Sequence, residues 1–153
     1  MIRNRKHTLA AALVATMTFA GVGMAVSSTD TIKDRQDAME TVGGAMQKLG
    51  AIAKGEAPFD AAVVKENAAT MEEHLRKAST LFPEGSDTGD VETWAKAEIW
   101  TDHADFVMKL KTAEAAAEAM KSVTEESAFR PALGKLGNSC KECHQTYRRP
   151  KQR

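Results

Sequence analysis

Apolar residues recur every three or four positions along most of the chain, which is the spacing of amphipathic helices and not the alternation of strands. The clearest example is the segment 30–54. Its apolar stripe, which is typical of a helix in a bundle, consists of Ile32, Met39, Val42, Met46, Leu49 and Ala53. Gly55 and Pro58 predict the end of this helix, because glycine suits a left-handed C-terminal cap and proline cannot continue the helix.

A second helix is predicted from Asp60, a suitable N-cap, with Phe59 and Val64 at the positions of a hydrophobic staple. Its expected buried face consists of Val64, Ala68, Met71, Leu75, Ala78 and Phe82. The turn-rich stretch 83–90 predicts a loop, and Asp90 is expected to cap a third helix. The apolar residues of that helix include Trp94, Ile99, Phe106, Val107 and Leu110.

The spacing of Ser122 and Glu125 fits a capping box and predicts the start of a fourth helix, which Pro131 is expected to bend. Its stripe advances in steps of four and three through Phe129, Leu133, Leu136, Cys140, Cys143 and Tyr147. Four such helices with mostly short links favour an all-α fold, an antiparallel up-down-up-down four-helix bundle.

The first 25 residues have the features of a secretory signal peptide. Three basic residues precede an uncharged apolar run, and small residues precede a cut after Ala25. We therefore predict a signal peptide over 1–25, a single domain over 26–153, and a periplasmic protein. An uncleaved membrane anchor is the alternative, since the run is nearly long enough to span a bilayer, although its threonines and glycines weaken it. No membrane span is expected after cleavage.

Removal of residues 1–25 changes the charge balance of the chain. It leaves 18 of the 21 Lys and Arg residues against all 21 Asp and Glu, a formal net charge of −3. A nucleic-acid-binding domain should carry a basic excess. The composition therefore argues against nucleic acid as a partner.

Cys140 and Cys143 are the only cysteines, and His144 follows the second directly. A disulfide is one expectation for an exported chain. A thioredoxin-type dithiol is another, but it belongs to a strand–helix setting that the pattern does not predict. A structural zinc site needs four ligands, and only His74 and His103 remain as further histidines after residue 25, neither with a partner at metal-ligand spacing.

Covalent haem is the interpretation that uses all three residues, since C-x-x-C-H is the attachment signature of c-type haem. Two thiols one helical turn apart on one face can form thioethers to the two vinyl groups at one edge of a porphyrin. His144 then lies under the ring, where its imidazole can bind the iron. Export favours this interpretation, because bacterial c-type haem is attached after export.

A C-terminal C-x-x-C-H in a predicted four-helix bundle resembles the class II cytochromes c, which include cytochrome c′ and the low-spin c-556 type. The stretch "IKDRQDAM" is similar to the first-helix Arg-Gln motif of this family, and "GKLGNSCKECHQTYR" is similar to its haem helix. The stretches "GAIAKGEAPFD", "LFPEGS" and "AEIW" are most similar to the c-556 members. The resemblance covers essentially all of the chain after residue 25.

The resemblance implies roles for several polar residues. Arg35 and Gln36 are expected along the haem edge, with Arg35 able to pair with a propionate; a solvated polar pair is the alternative. Arg148 is expected beside His144 on the proximal side, unless it is simply one member of the charged C-terminal tail. Met39 occupies the position of the distal iron ligand in the low-spin branch, although methionine on such a stripe is usually a core residue.

Gly43 lies one turn after Met39 on the inner face of the first helix. A glycine inside a helix costs about 1 kcal/mol relative to alanine. Its lack of a side chain would let a porphyrin lie close to the backbone, and tight packing against a neighbouring helix is the alternative. We expect haem packing here.

These residues favour electron transfer by one haem c with His144 and Met39 as axial ligands and redox proteins as partners. The alternative is a five-coordinate, high-spin haem that binds NO or CO at an open distal position. A thiol oxidoreductase is a third hypothesis, weakened by the missing strands. Nothing indicates a catalytic acid or base, so no enzyme is predicted, and the family resemblance also allows a homodimer.

Overall fold

Helices account for most of the residues that the structure describes. The computed structural model describes residues 27–150, so the predicted signal peptide lies outside the described residues. The helices are α1 (Ser28–Lys54), α2 (Ala61–Ala78), α3 (Glu98–Thr101), α4 (His103–Met120) and α5 (Glu126–Tyr147). Between residues 27 and 150 there is no β-strand; one isolated bridge pairs Ala95 with Arg148. The predicted all-α four-helix architecture is confirmed.

The ends of the first two helices follow their sequence signals. Gly55 has φ 77°, and its N–H donates to the carbonyls of Ala51 and Ile52, as expected of a left-handed cap. The Oδ1 atom of Asp60 accepts hydrogen bonds from the N–H groups of Ala62 (2.7 Å) and Val63 (3.3 Å). These two predicted caps are therefore confirmed.

The start of the third long helix was predicted wrongly. Asp90 does not cap a helix, because the chain continues as an irregular segment to Ala97 before the single turn of α3, and Asp102 then separates α3 from α4. Residues 90–97 make their hydrogen bonds elsewhere: Asp90 N–H donates to Thr29 Oγ1 (3.0 Å), and Lys96 N–H donates to the carbonyl of Tyr147 (3.0 Å). Backbone groups bonded in this way are not available for an intrahelical ladder.

The predicted capping box at the start of the fourth long helix does not form. Glu125 is itself the N-cap of α5 and makes no side-chain capping hydrogen bond. Ser122 still belongs to the final turn after α4, where its N–H donates to the carbonyl of Ala119 (3.2 Å). The turn that ends α4 therefore includes the residue that was expected to begin α5.

Three of the four neighbouring helix pairs pack extensively: α1 with α2, α2 with α4, and α4 with α5. The centre of this core is formed by α2, where Val64, Ala68, Met71 and Ala78 are fully buried. Helices α1 and α5, by contrast, contact each other only sparsely. We call the side of the bundle between α1 and α5 the seam. No helix between residues 27 and 150 has the length and apolar character needed to cross a membrane.

Candidate haem site

Cys140 and Cys143 lie one turn apart on α5. Both belong to the apolar stripe of this helix, which faces the bundle. Cys140 is half-buried, Cys143 is buried, and both sulfurs are free thiols. Burial, followed by the nearby thiol of Cys140, raises the pKa of Cys143 to about 11, and burial also raises the pKa of Cys140. Both thiols are therefore neutral at neutral pH, and neither has the lowered pKa of a reactive redox cysteine.

His144 directly follows Cys143 on α5 and is exposed to solvent. Partial desolvation, and then the positive charge of Arg148, lower the pKa of its imidazole. A lowered pKa favours the neutral ring, which is the form that binds a metal. The Arg148 N–H also donates to the His144 carbonyl (3.1 Å), so these two residues lie together at the end of the helix.

The wall opposite α5 is formed by the half-buried side of α1. Met39, Gly43 and Met46 follow one another at helical spacing along it and are all half-buried. A Cβ atom added to Gly43 would meet nothing within 4 Å. The close-packing alternative for Gly43 therefore has no neighbouring atom to account for it, and open space lies beside the backbone at this point.

The C-terminal end of α5 is held against α4 by Tyr147. Its ring is buried and packs edge-on against Phe106, with the ring centroids 5.3 Å apart. Its hydroxyl donates to Asp105 Oδ2 at 2.5 Å. Burial and this hydrogen bond raise the pKa of Tyr147, so the phenol remains the donor. The hydrogen bond fixes the rotation of α5 one turn beyond Cys143.

Arg35 is 3% exposed and lies in a polar cluster at the end of the seam. Its Nη1 donates to the carbonyl (2.7 Å) and hydroxyl (3.2 Å) of Ser86, and its Nη2 donates to Thr93 Oγ1 (2.9 Å). The guanidinium also lies 5.0 Å from the ring centroid of Phe82 and 5.6 Å from that of Trp100. Burial lowers its pKa, and the charge of Asp87 partly opposes this effect.

These contacts give Arg35 a structural role that the sequence did not predict. They leave its Nε–H and one N–H of Nη2 for any further acceptor, so the predicted pairing with a propionate would use these two donors. Gln36, which is exposed, donates from Nε2 to the carbonyl of Glu92 (2.7 Å). The solvated-pair alternative does not describe Arg35.

The segment 79–97, which we call the strap, joins the two walls of the seam. At one side it binds Arg35 and Gln36 of α1. At the other, Lys96 Nζ donates to the carbonyl of Thr146 (2.8 Å), and Arg149 N–H donates to the carbonyl of Trp94 (2.8 Å). The strap thus connects α1 and α5, which contact each other only sparsely. The sequence predicted only that this segment contains a loop. It did not predict the polar contacts that the segment makes with distant residues.

An open cavity of about 550 Å³ lies next to His144. It is lined by Lys96, Lys141, His144, Gln145, Arg148, Arg149 and Pro150. The guanidinium of Arg148 also lies 5.0 Å from the ring centroid of Trp94 in the strap. Arg148 is therefore fixed beside His144 and is not a free member of the charged tail.

The arrangement fits a flat, covalently held group better than it fits a bare metal ion. Between residues 27 and 150, no group of three or more His, Cys, Asp and Glu side chains is arranged to hold a metal. Two thiols one turn apart, a loosely packed seam and open space at Gly43 suit a porphyrin that enters from the side of α5. The donor set is that of a c-type haem.

Comparisons with known proteins agree with this class of site. The model of a family described as "Cytochrome C'" matches residues 30–148. Cytochrome c' of Rhodopseudomonas palustris is 36% identical over 141 residues, which is 92% of this chain and 96% of that one. Cytochrome c-556 of Agrobacterium fabrum is also 36% identical, over 81% of this chain and 84% of its own. The solved cytochrome c' of Rhodopseudomonas palustris superposes with a TM-score of 0.77 at 34% identity, covering 80% of this chain and 98% of that one.

The fold and the donor set therefore define a c-type cytochrome of the four-helix-bundle class. The chain belongs to the cytochrome c′ family, the class II cytochromes c. Its cofactor is one covalently bound haem c per chain. Relatives named cytochrome c' and cytochrome c-556 match at the same 36% identity, so the family assignment leaves the state of the distal position open.

Proposed function

We propose that the protein is an exported one-electron carrier whose haem is attached to Cys140 and Cys143, with His144 and Met39 as the axial ligands. The observation that carries this proposal is the C-x-x-C-H turn of α5, which faces a sparsely packed seam. When bound, the haem supplies reversible one-electron chemistry, and a methionine ligand raises its potential. The chain's own residues fix the end of the helix, through the Tyr147 bond to Asp105 and the Arg148 N–H bond to the His144 carbonyl.

The contacts of the strap allow the positions of Met39 and His144 along the bundle axis to be compared. Arg35 of α1 binds Thr93, and Arg148 forms a bridge with Ala95, so these two arginines mark similar levels of the antiparallel walls. Met39 lies four residues beyond Arg35, and His144 lies four residues before Arg148. At 1.5 Å per residue each is about 6 Å into the seam, which supports Met39 as the residue opposite His144.

Met46 is a weaker candidate for the distal ligand. It has the same facing as Met39 and is also half-buried. It lies seven residues further along α1, which is about 10 Å deeper in the seam by the helical rise. Met46 therefore serves as the matched control for any substitution of Met39.

The alternative function is reversible binding of NO or CO by a high-spin haem with an open distal position. The specific observation in its favour is the prominence of cytochrome c' among the related proteins and solved structures. Under this alternative Met39 lines the distal side without bonding the iron. The two functions differ in one measurable property, the coordination number of the ferric iron.

The first test concerns attachment of the haem. Acid–organic extraction of the denatured holoprotein should leave the haem on the polypeptide. Cys140→Ala and Cys143→Ala should each lower the yield of holoprotein. Complete extraction of the haem from the wild-type chain would overturn the proposed covalent site.

The second test concerns the distal ligand. The oxidised wild-type protein should give a low-spin spectrum with the weak far-red band of a methionine–iron bond. This band should vanish in Met39→Ala and persist in Met46→Ala. A high-spin wild-type spectrum that responds readily to CO or NO would contradict the carrier proposal and support the gas-binding alternative.

Export and the domain boundary belong to the same proposal. A signal peptide over 1–25 would leave a mature domain of 26–153 in the periplasm, where redox proteins are its partners. Mass spectrometry of the protein secreted to the periplasm should give an N-terminus within a few residues of Val26. Retention of the full-length chain in the membrane fraction would favour the uncleaved anchor.

A further inference from the structure

The lining of the cavity beside His144 carries positive charge only. Lys96, Lys141, Arg148 and Arg149 contribute four cations, and no acidic residue lines it. The whole chain has equal numbers of basic and acidic residues, so this separation of charge is local. Glu98 and Glu142 are exposed close by in sequence but do not line the cavity.

Three of these four cations are held in place without being neutralised, and the fourth, Lys141, is exposed. Lys96 Nζ donates to the carbonyl of Thr146, Arg149 Nη2 to the carbonyl of Thr93, and Arg148 stacks on Trp94. Among residues 27–150 the ion pairs join Lys54 with Glu56, Lys109 with Asp105, and Lys121 with Glu72. None of these pairs includes a cavity cation. The fixed charges therefore keep their attraction for an external anion.

The cations extend over an area larger than one small anion contacts. They come from three separate segments: the strap, α5 and the C-terminal tail. Lys141 and Arg148 alone are seven residues apart, about 10 Å along a helix. His144, the proposed iron ligand, lies between them in the same lining. A positive surface of this breadth fits a macromolecular acidic surface, and its place beside the iron ligand fits an electron-transfer partner.

We propose that this basic surface, formed by Lys96, Lys141, Arg148 and Arg149, is the docking site for an acidic face of the redox partner protein. The inference rests on the proposed electron-transfer function and adds the chemistry of the partner. Complementary charge raises the rate of productive encounter more than it raises affinity. Because the net charge of the chain is small, orientation of the partner depends on this local surface.

The experiment measures reduction of the oxidised holoprotein by a fully reduced, acidic flavodoxin, which gives one electron to each haem. Lys141→Glu is the test variant, since Lys141 is exposed and makes no ion pair within the described residues. Lys65→Glu on α2 is the control with the same change in net charge. Reduction by lumiflavin supplied as its semiquinone, a small neutral donor that gives one electron and one proton and becomes oxidised lumiflavin, reports on the haem itself.

At about 10 mM ionic strength, where the Debye length is about 30 Å, Lys141→Glu should slow reduction by flavodoxin on the order of tenfold. The difference should disappear near 1 M salt, where the Debye length is about 3 Å. Lys65→Glu should behave like the wild type, and lumiflavin should reduce all three proteins at one rate. Arg149→Gln should give a smaller slowing in the same direction.

Several results would overturn this inference. Equal slowing by Lys65→Glu would mean that net charge, and not this surface, steers the partner. Suppression by phosphate at constant ionic strength, to the level of Lys141→Glu, would identify a small-anion site. Slower reduction by lumiflavin would show that the substitution acts on the haem. A failure of the proposed function is seen separately, as a wild-type protein with no covalent haem or with a high-spin spectrum that responds readily to CO or NO.

Discussion

The two sides of the bundle are built in different ways. On the α2 side, Val64, Ala68 and Met71 are fully buried and pack directly against the neighbouring helices. On the seam side, Met39 and Cys140 are only half-buried, and α1 and α5 hardly contact each other. Apolar packing therefore completes one side of the molecule, whereas the other side depends on the cofactor and on a polar strap.

The largest expected effect comes from removing the cofactor, which acts on the seam alone. Without haem, we expect the seam to lose the contacts that its half-buried residues make with the porphyrin, and a void left there destabilises in proportion to its volume. A loss of about 3 kcal/mol or more should lower the Tm by roughly 10 °C or more for a domain of this size. Calorimetry of holoprotein and apoprotein tests this; equal Tm values would mean that the haem is peripheral.

A pair of methionine substitutions sharpens the contrast between the sides. Met71→Ala should lower the free energy of unfolding by roughly 2–5 kcal/mol, because it leaves a cavity in a close-packed core. It should leave the far-red absorption band unchanged. Met39→Ala should remove that band. Urea unfolding and the oxidised spectrum of both variants give the answer, and a spectral change in Met71→Ala would contradict the separation of the two sides.

Arg35→Met tests the strap. The substitution removes three hydrogen bonds to Ser86 and Thr93, whose side chains are both buried, at an expected cost of roughly 2 kcal/mol in unfolding free energy. Gln36→Ala is the control, since an exposed residue with one bond to the strap should cost less than about 1 kcal/mol. Similar losses of unfolding free energy in the two variants would mean that the buried cluster stabilises the protein no more than one exposed hydrogen bond does.

Tyr147→Phe tests how α5 is held to α4. The ring packing against Phe106 is kept, and only the hydroxyl's hydrogen bonds are lost, to Asp105 Oδ2 (2.5 Å) and, at a longer distance, to the Asp102 carbonyl (3.5 Å). A bond to a partly buried carboxylate should contribute roughly 1.5 kcal/mol to stability. Chemical denaturation measures the loss. Its control is Tyr147→Leu, which should cost more because it also removes the aromatic contact.

Two adjacent glycines give the smallest effect and the finest comparison. Gly44→Ala, on the exposed face of α1, should raise stability by up to about 1 kcal/mol through helix propensity. Gly43→Ala has the same propensity gain but places a methyl group at the seam. In the holoprotein it should stabilise less than Gly44→Ala and shift the main haem absorption band. Identical behaviour of the two variants would show that Gly43 does not contact the haem.

The helices could be predicted because their signals are local. The stripe of α1, the Asp60 cap and the Gly55 cap each depend on residues a few positions apart. Local signals failed at Asp90, since the backbone there bonds to α1 and α5 instead of forming a helix. The general position of the site could be predicted for the same reason, because C-x-x-C-H lies within five residues of one helix.

The surroundings of the site could not be predicted. Nothing near Arg35 in the sequence indicates that Ser86 and Thr93 accept its hydrogen bonds. Tyr147 belongs to the predicted stripe, but its partner Asp105 is a polar residue on another helix. The positive lining beside His144 likewise combines residues from three segments. Such contacts depend on how distant segments meet, which no local pattern records.

The strap also has a consequence for the order in which the chain folds. Its hydrogen bonds to α1 and to the end of α5 join residues 50 to 61 positions apart, whereas the helices close over four. Closing a long chain segment costs more entropy than closing a short one, and distant contacts generally form late. We therefore expect the hairpins of neighbouring helices to assemble first and the strap to close last. On this order of events, the end of the seam nearest Cys143 is open before the strap closes. A bulky group can then be attached to the C-terminal helix at that stage.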